Sequence, residues 1–159
     1  MAKAQKTKGR NQEYVLRNHL RALGWEAERV YASGAIKGLP GDVKATKAPY
    51  GTKLFEMKSR KDLFKSIYVL YEEHIKTKGD DVMSIAISEA KYLCLNLSSS
   101  LEAALGAVDH HINMELHPLY KKHKRTFGKI KNLEKLLGEA DVLAIKDDRR
   151  PLLFIRYYK

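Results

Sequence analysis

Two extended runs joined by a tight reversal constrain this chain more than any other stretch. Asp42-Val43-Lys44-Ala45-Thr46-Lys47 leads into Ala48-Pro49-Tyr50-Gly51, and Lys53-Leu54-Phe55-Glu56-Met57-Lys58 leads back. Pro and Gly bracket the reversal, as hairpin chemistry expects. Side chains alternate between faces along a strand. Leu54, Glu56 and Lys58 therefore share one face, and Phe55 and Met57 share the other. A turn centred near Pro49 sets Asp42 roughly opposite Glu56 and on its face. Two carboxylates and an ammonium then converge at one end of a hairpin.

That convergence suits metal-assisted phosphodiester hydrolysis. Mg²⁺ takes oxygen ligands and often binds one or two carboxylates with substrate phosphate and water. A bound metal lowers the pKa of its water and polarises the phosphoryl oxygen. A neighbouring lysine orients the nucleophile or stabilises charge developing on the phosphate. A surface hairpin with an incidental Glu–Lys pair has the same spacing, since all three residue types are common on surfaces.

At 159 residues the chain is expected to form one domain with a substantial core. Its net charge of +11 favours a polyanionic partner, either nucleic acid or an anionic membrane surface. No apolar run approaches a membrane span, and no signal-peptide pattern opens the sequence. No long basic amphipathic helix with an aromatic face favours the membrane surface. An intracellular, non-secreted protein is expected. Cys94 is the sole cysteine, so neither an intrachain disulfide nor a Cys-rich zinc site is available. It lies in an apolar run and is expected to be buried. His110, His111, His117 and His123 match no common tetrahedral spacing.

Residues 1–10 carry Lys3, Lys6, Lys8 and Arg10 with no acid and read as a flexible basic arm. Asn11–Leu23 reads as a helix closed by Gly24, with Leu16, Leu20 and Leu23 on its buried face. Glu13 lies on that face, where a carboxylate needs a partner or a metal. A first-turn acid favourable to the helix dipole is the other reading. Trp25–Tyr31 fits a strand. The Gly34, Gly38 and Gly41 loop allows close ligand approach, and Ser33 and Lys37 are placed to contact a phosphate there. For Ser33 a turn hydroxyl bonding its own backbone is the alternative.

After the hairpin, Asp62 is a candidate N-cap for a helix marked by Leu63, Ile67, Leu70 and His74 and ending about Ile75. Val82–Ile87 and Tyr92–Leu97 read as strands. Ser99 and Glu102 have capping-box spacing for a helix running to about His117. Residues 117–131 are the densest basic segment and hold Lys121, Lys122, Lys124 and Arg125, as a nucleic-acid contact or a solvated linker. Ile130, Leu133 and Leu137 suggest a further helix capped by Gly138. Val142–Ile145 and Leu152–Tyr157 read as a closing hairpin. It echoes residues 42–58 without the carboxylate and lysine, so surface burial or a dimer contact is expected of it rather than catalysis. The order of elements indicates an α/β sheet with helical cover.

The N-terminal half resembles the archaeal-type Holliday junction resolvases of the PD-(D/E)xK nuclease superfamily. The resemblance runs through Lys8-Gly9-Arg10, Glu13, Ala32-Ser33-Gly34, Pro40, Asp42 and Glu56-Met57-Lys58-Ser59-Arg60-Lys61-Asp62. It implies a restriction-endonuclease-like fold, with a central mixed sheet flanked by helices. It implies a nuclease core over about residues 11–100, and leaves residues 101–159 unmatched. It implies Glu13, Asp42 and Glu56 as metal-binding carboxylates, the Met57 carbonyl as a further ligand and Lys58 as the catalytic lysine. It also implies Ser33 near the scissile phosphate and Arg10 as a basic residue of the N-terminal segment. Gly41 departs from the superfamily pattern, which sets Pro directly before Asp.

The expected activity is Mg²⁺-dependent cleavage of four-way DNA junctions, with Mn²⁺ also supporting it. No small-molecule cofactor and no membrane partner are expected. One metal site per chain and a two-fold symmetric substrate together require a homodimer. Lys8, Arg10, Lys37, Arg60, Lys61, Lys121, Lys122, Lys124 and Arg125 form the expected DNA footprint. The alternatives are a restriction-like or repair endonuclease on linear or other branched DNA, and a non-catalytic DNA-binding protein.

Overall fold

The computed structural model describes residues 2–31, 41–59, 64–79, 81–89, 91–106, 118–147 and 149–158. In chain order the elements are α1 (Ala2–Ala22), β1 (Glu26–Arg29), β2 (Val43–Lys47), β3 (Gly51–Ser59), α2 (Lys65–Lys78) and β4 (Val82–Glu89). They continue with β5 (Lys91–Ser98), α3 (Leu101–Leu105), α4 (Lys124–Asn132), α5 (Glu134–Leu137), β6 (Val142–Lys146) and β7 (Leu153–Tyr158). The strands form one seven-stranded sheet in the order β1-β2-β3-β6-β7-β5-β4. β3 and β6 pair in parallel and the other neighbours are antiparallel. This is the mixed, helix-flanked α/β sheet expected of a restriction-endonuclease-like fold.

Two cores lie on opposite faces of the sheet. On one, Leu16 and Leu20 of α1 and Leu101 and Ala104 of α3 cover Phe55, Met57, Val142, Ala144 and Phe154. On the other, Ile67 and Leu70 of α2 and Phe127 and Ile130 of α4 cover Leu143, Ile145, Leu153, Ile155, Leu95 and Leu97. Every residue from Val142 to Ile145 is fully buried. A strand covered on both faces reads as a continuous apolar run rather than an alternation. That is why Val142-Leu143-Ala144-Ile145 contains no charge while β3, nearer the edge, alternates.

The reversal between β2 and β3 is fixed by aromatic packing. Tyr50 stacks on Trp25 at 5.6 Å between ring centroids, and Trp25 meets Phe55 edge-on at 6.1 Å. Such contacts add roughly 0.5–1.5 kcal/mol each beyond the buried area. They tie the turn to the start of β1 and hold the hairpin flat against α1.

Several boundaries differ from those expected. Residues 2–10, expected as an arm preceding the helix, form the first turns of α1. Ala, Gln, Lys and Arg are strong helix formers, and Thr7 and Gly9 are the two weaker positions among residues 2–10. Leu23, expected on the buried face, is 41% exposed because the helix ends at Ala22. The α2 N-cap position is Phe64, with no side-chain cap, and Asp62 lies outside the described residues. α2 runs to Lys78 and ends at Gly79, whose φ of 71° is left-handed. Ser100, not Ser99, caps α3 by accepting the Ala103 N–H at 3.4 Å. Gly106 ends that helix in extended backbone, and residues 107–117, over which the sequence was expected to continue it, lie outside the described residues. The basic segment is a turn over 118–123 followed by α4, and Leu133 separates α4 from α5. Cys94 lies in β5, opposite Tyr158 of β7.

The closing hairpin is present, and its place explains its composition. β6 and β7 stand between β3 and β5, so the last third of the chain completes the middle of the sheet. A chain ending at Gly106 would leave β3 and β5 each without a neighbour on one side. It is expected to show no cooperative thermal transition and to bind a hydrophobic dye, as a loosely packed state does. A cooperative transition in that shortened chain would show that the N-terminal part holds a core of its own.

Candidate active site

The β2–β3 register pairs Val43 with Phe55 and Lys44 with Leu54. Carried back one residue, it sets Asp42 opposite Glu56. The Asp42 N–H donates to the Phe55 carbonyl at 2.7 Å, and the Asp42 carbonyl accepts the Val30 N–H at 2.9 Å. Asp42 is thereby held between β1 and β3 just before β2 begins. Its Oδ2 accepts the Met57 N–H at 2.8 Å. In an antiparallel pairing a residue's N–H and C=O face the same neighbour. The Met57 carbonyl therefore looks past the start of β2, as its N–H does.

Gly41 makes this approach possible. Its φ is +80°, and a Cβ built on it would stand 3.2 Å from the Phe55 carbonyl oxygen. Only glycine accepts both the left-handed backbone and that contact without strain. The glycine interposed between Pro40 and Asp42 lays the aspartate against β3.

Glu56 and Lys58 share the face of β3 opposite Phe55 and Met57, as alternation requires. Lys58 Nζ donates to Glu56 Oε1 at 2.6 Å. The Glu56 side chain is 18% exposed and the Lys58 side chain 32%. Burial pushes the Glu56 carboxyl above the ordinary glutamate range. The Lys58 bond pulls it down, and the Asp42 and Glu13 carboxylates push it up further. Lys58 therefore compensates Glu56 only in part.

Glu13 is neutralised differently. Its Oε2 accepts Arg29 Nε at 2.8 Å and Arg29 Nη2 at 2.6 Å. Arg29 Nη1 also donates to the Tyr14 hydroxyl at 3.3 Å, and its guanidinium stands 4.6 Å from the Tyr14 ring centroid. The carboxylate on the core side of α1 thus has the partner that burial demands. Arg29 was not among the expected site residues. Its sequence signal is alternation: Ala27 and Arg29 share the face of β1 turned to α1, so a cation there meets whatever acid α1 presents.

The structure brings Asp42, Glu56, Met57 and Lys58 together, with Glu13 close enough to influence Glu56. Among the described residues, no group of three His, Cys, Asp or Glu side chains is arranged to hold an ion. Ser33, Lys37, Arg60 and Lys61 lie outside the described residues. Lys8 and Arg10 are exposed on α1. Lys121, Lys122, Lys124 and Arg125 are exposed beside α2, where Lys122 Nζ bonds Glu73 at 2.9 Å and His123 Nε2 meets it at 3.0 Å. Lys129 Nζ bonds Ser66 at 3.3 Å. The Lys121–Arg125 cluster therefore lies about two helical turns, roughly 10 Å, further along α2 than Ser66.

The family model for archaeal Holliday junction resolvases matches residues 4–91, more than half of the chain. The chain belongs to the archaeal Holliday junction resolvase family. Comparison with curated proteins and with solved structures gave no match. Membership places the chain among nucleases that act on junction DNA. The resolvase match takes in α1 with Glu13, the hairpin with Asp42, Glu56 and Lys58, α2 and β4, and ends where β5 begins. The rest of β5, all of α3 to α5, β6 and β7 lie beyond it. No helix among the described residues of this resolvase is long and apolar enough to cross a membrane.

The raised Glu56 carboxyl sets a pH dependence. A folded state that holds this proton more tightly than the unfolded chain loses stability as pH rises from the ordinary glutamate range through the raised one. Glu56→Gln removes the titration. In chelator, the melting temperature of the variant relative to the native chain is expected to climb as pH rises from acid to neutral. Parallel curves for the two proteins at every pH would show that the Glu56 charge carries no folding cost.

Proposed function

We propose that this resolvase is a Mg²⁺-dependent endonuclease that acts as a homodimer and places paired, symmetric cuts in a four-way DNA junction. The observation that carries the reading is the Asp42–Glu56 pair, opposed in register, with Lys58 two residues along the same face. These donors are hard oxygens, which suits Mg²⁺, with Mn²⁺ as a substitute. Glu56 is only partly compensated by Lys58, which suits a cation beside it. Asp42, Glu56 and the Met57 carbonyl would hold the ion, and Glu13 would add its Oε1 while Oε2 keeps Arg29. When bound, Mg²⁺ supplies Lewis acidity to the scissile phosphate and a more acidic water.

The chain's own groups do the rest. Lys58, held at its acid partner, presents an ammonium to the phosphate where negative charge grows in the transition state. Asp42 is fixed through its backbone to two strands, so its carboxylate is positioned before substrate arrives. Ser33, Lys37, Arg60 and Lys61 contact phosphates around the cut. Cleavage leaves a 5′-phosphate and a 3′-hydroxyl. One site per chain and two opposed cuts per junction make the working unit a two-fold dimer.

The test compares an end-labelled four-way junction with linear duplex and single strands of the same sequence, in Mg²⁺ and in chelator. Paired cuts confined to the junction, lost in chelator and in Asp42→Asn, are expected. Asp42→Asn should bind the junction as well as the native chain or better, since it removes negative charge beside phosphate. Cutting of linear duplex alone would leave a nuclease of different substrate, and a strict monomer on junction DNA by light scattering would sink paired cleavage.

Phosphate contacts are expected to dominate affinity. On duplex DNA each one steepens the fall of log K against log salt by about 0.9. Replacing Lys121, Lys122, Lys124 and Arg125 with alanine should flatten that slope by up to about 3–4 units. Removing residues 1–9 should flatten it as well. Slopes unchanged in both variants would remove these residues from the footprint.

A further inference from the structure

We propose that Tyr31 is a stacking site for an unstacked nucleobase face at the centre of the junction. The assignment rests on the junction reading above and names the part of the substrate that this ring takes.

A ladder of guanidinium and phenol groups runs from α1 to the end of β1. Arg17 stands 4.7 Å from the Tyr14 ring centroid, Arg29 stands 4.6 Å from the same centroid, and Arg29 stands 5.6 Å from the Tyr31 centroid. The middle of the ladder is fixed. The Arg29 side chain is 12% exposed and bonded to Glu13 through two of its nitrogens. The last rung is bare. Tyr31 is 77% exposed, nearly twice Val15, Leu23 or Ile75, the other exposed large apolar side chains among the described residues. Isolated exposed apolar residues are ordinary. An exposed ring backed by an immobilised guanidinium is different, because the backing holds the ring in one orientation and leaves surface for a second flat partner.

Its position selects the partner. Val30 donates its N–H to the Asp42 carbonyl, and Tyr31 is the next residue. The ring therefore sits one residue from the strand pairing that holds the candidate catalytic aspartate. DNA bound for cleavage at Asp42 and Glu56 passes this ring. Within a duplex each base is already stacked above and below. At the crossover of an open four-way junction, the form it takes without divalent cations, the stack is interrupted and base faces become available. Stacking on an aromatic ring is sequence-tolerant, because every base has a π-face, and is worth about five- to 150-fold in affinity per base. Tyr31 then reads the interruption itself, which phosphate contacts do not.

The experiment measures equilibrium binding in chelator, so that no strand is cut, using the full-length native chain, Tyr31→Ala and Tyr31→Trp. The probes are a four-way junction, a linear duplex with the sequence of one arm, and junctions carrying a single abasic site at each nucleotide flanking the crossover. Tyr31→Ala is expected to lose at least about fivefold in junction affinity with duplex affinity unchanged, while Tyr31→Trp retains it. At one abasic position the native chain should lose a similar factor and Tyr31→Ala nothing further, which is the coupling expected of two groups in contact. Equal losses on junction and duplex, or abasic and Tyr31→Ala losses that simply add, would overturn the assignment. Equal native affinity for junction and duplex would sink the junction reading as well. A junction preference that Tyr31→Ala leaves intact would sink the stacking site alone.

Discussion

Strand β3 has to be dry on one face and charged on the other, and the rest of the structure follows from that requirement. Phe55 and Met57 are buried beneath α1, while Glu56 and Lys58, one residue along in each case, face the opposite way. Alternation alone imposes this division. It means that the residues fixing the strand in the core and the residues forming the acid pair cannot be displaced independently. α1 seals the first face with Leu16 and Leu20 and ties Glu13 to the end of β1 through Arg29. On the second face, α2 and α4 cover β6, β7, β5 and β4, and Leu54 is the residue of β3 that packs against their core. Glu56 and Lys58 keep partial contact with solvent, so a polar substrate can reach them.

The part of the chain matched to the resolvase family does not make the sheet by itself. The match ends at residue 91, yet β6 and β7 separate β3 from β5. The likeness between residues 42–47 and 141–146 has a physical content here. Asp42 Oδ2 accepts the Met57 N–H and Asp141 Oδ2 accepts the Leu54 N–H, both at 2.8 Å. Each aspartate precedes a strand that flanks β3 and anchors that strand to the β3 backbone. Asp141 has no carboxylate opposite: the parallel register, carried back one residue, sets it against Leu54, and Leu143 and Ile145 stand beside Glu56 and Lys58. The same local device serves packing on one side of β3 and chemistry on the other.

What could be read from the sequence was what local chemistry dictates. The Pro-Gly reversal and the alternation of β3 placed Asp42 against Glu56 before any coordinates were needed, and the register pairs them so. The periodicity of Leu16 and Leu20 gave the buried face of α1. Boundaries set by competing single residues were less legible: two serines, Ser99 and Ser100, both suit an N-cap, and only the backbone course chooses Ser100. Long-range pairing leaves no local trace. Nothing in Val142–Lys146 says that it lies parallel to β3 rather than appended at an edge, although its unbroken apolar run is what a doubly covered strand requires. Arg29 was hidden for the same reason, since its meaning depends on an acid sixteen residues earlier in another element.

The contrast between the three carboxylates bears on the proposed metal site. Glu13 has a delocalised guanidinium with two nitrogens on one oxygen, and that cation is itself stacked against Tyr14. Glu56 has one ammonium on a flexible stem, and burial still leaves its proton affinity raised. Asp42 directs Oδ2 to the Met57 N–H, which aims its carboxylate along β3 toward Glu56. Glu13 is thus held by a two-nitrogen cation, while Glu56 stays raised by burial despite its lysine. In the proposed reading, Mg²⁺ belongs beside Glu56, whose burial its lysine does not offset, with Asp42 opposed to it in register. Glu13 then acts with its arginine in place: Arg29 holds Oε2 through two nitrogens, and Oε1 would turn to the ion, so the guanidinium that backs Tyr31 stays fixed while the third carboxylate joins the site.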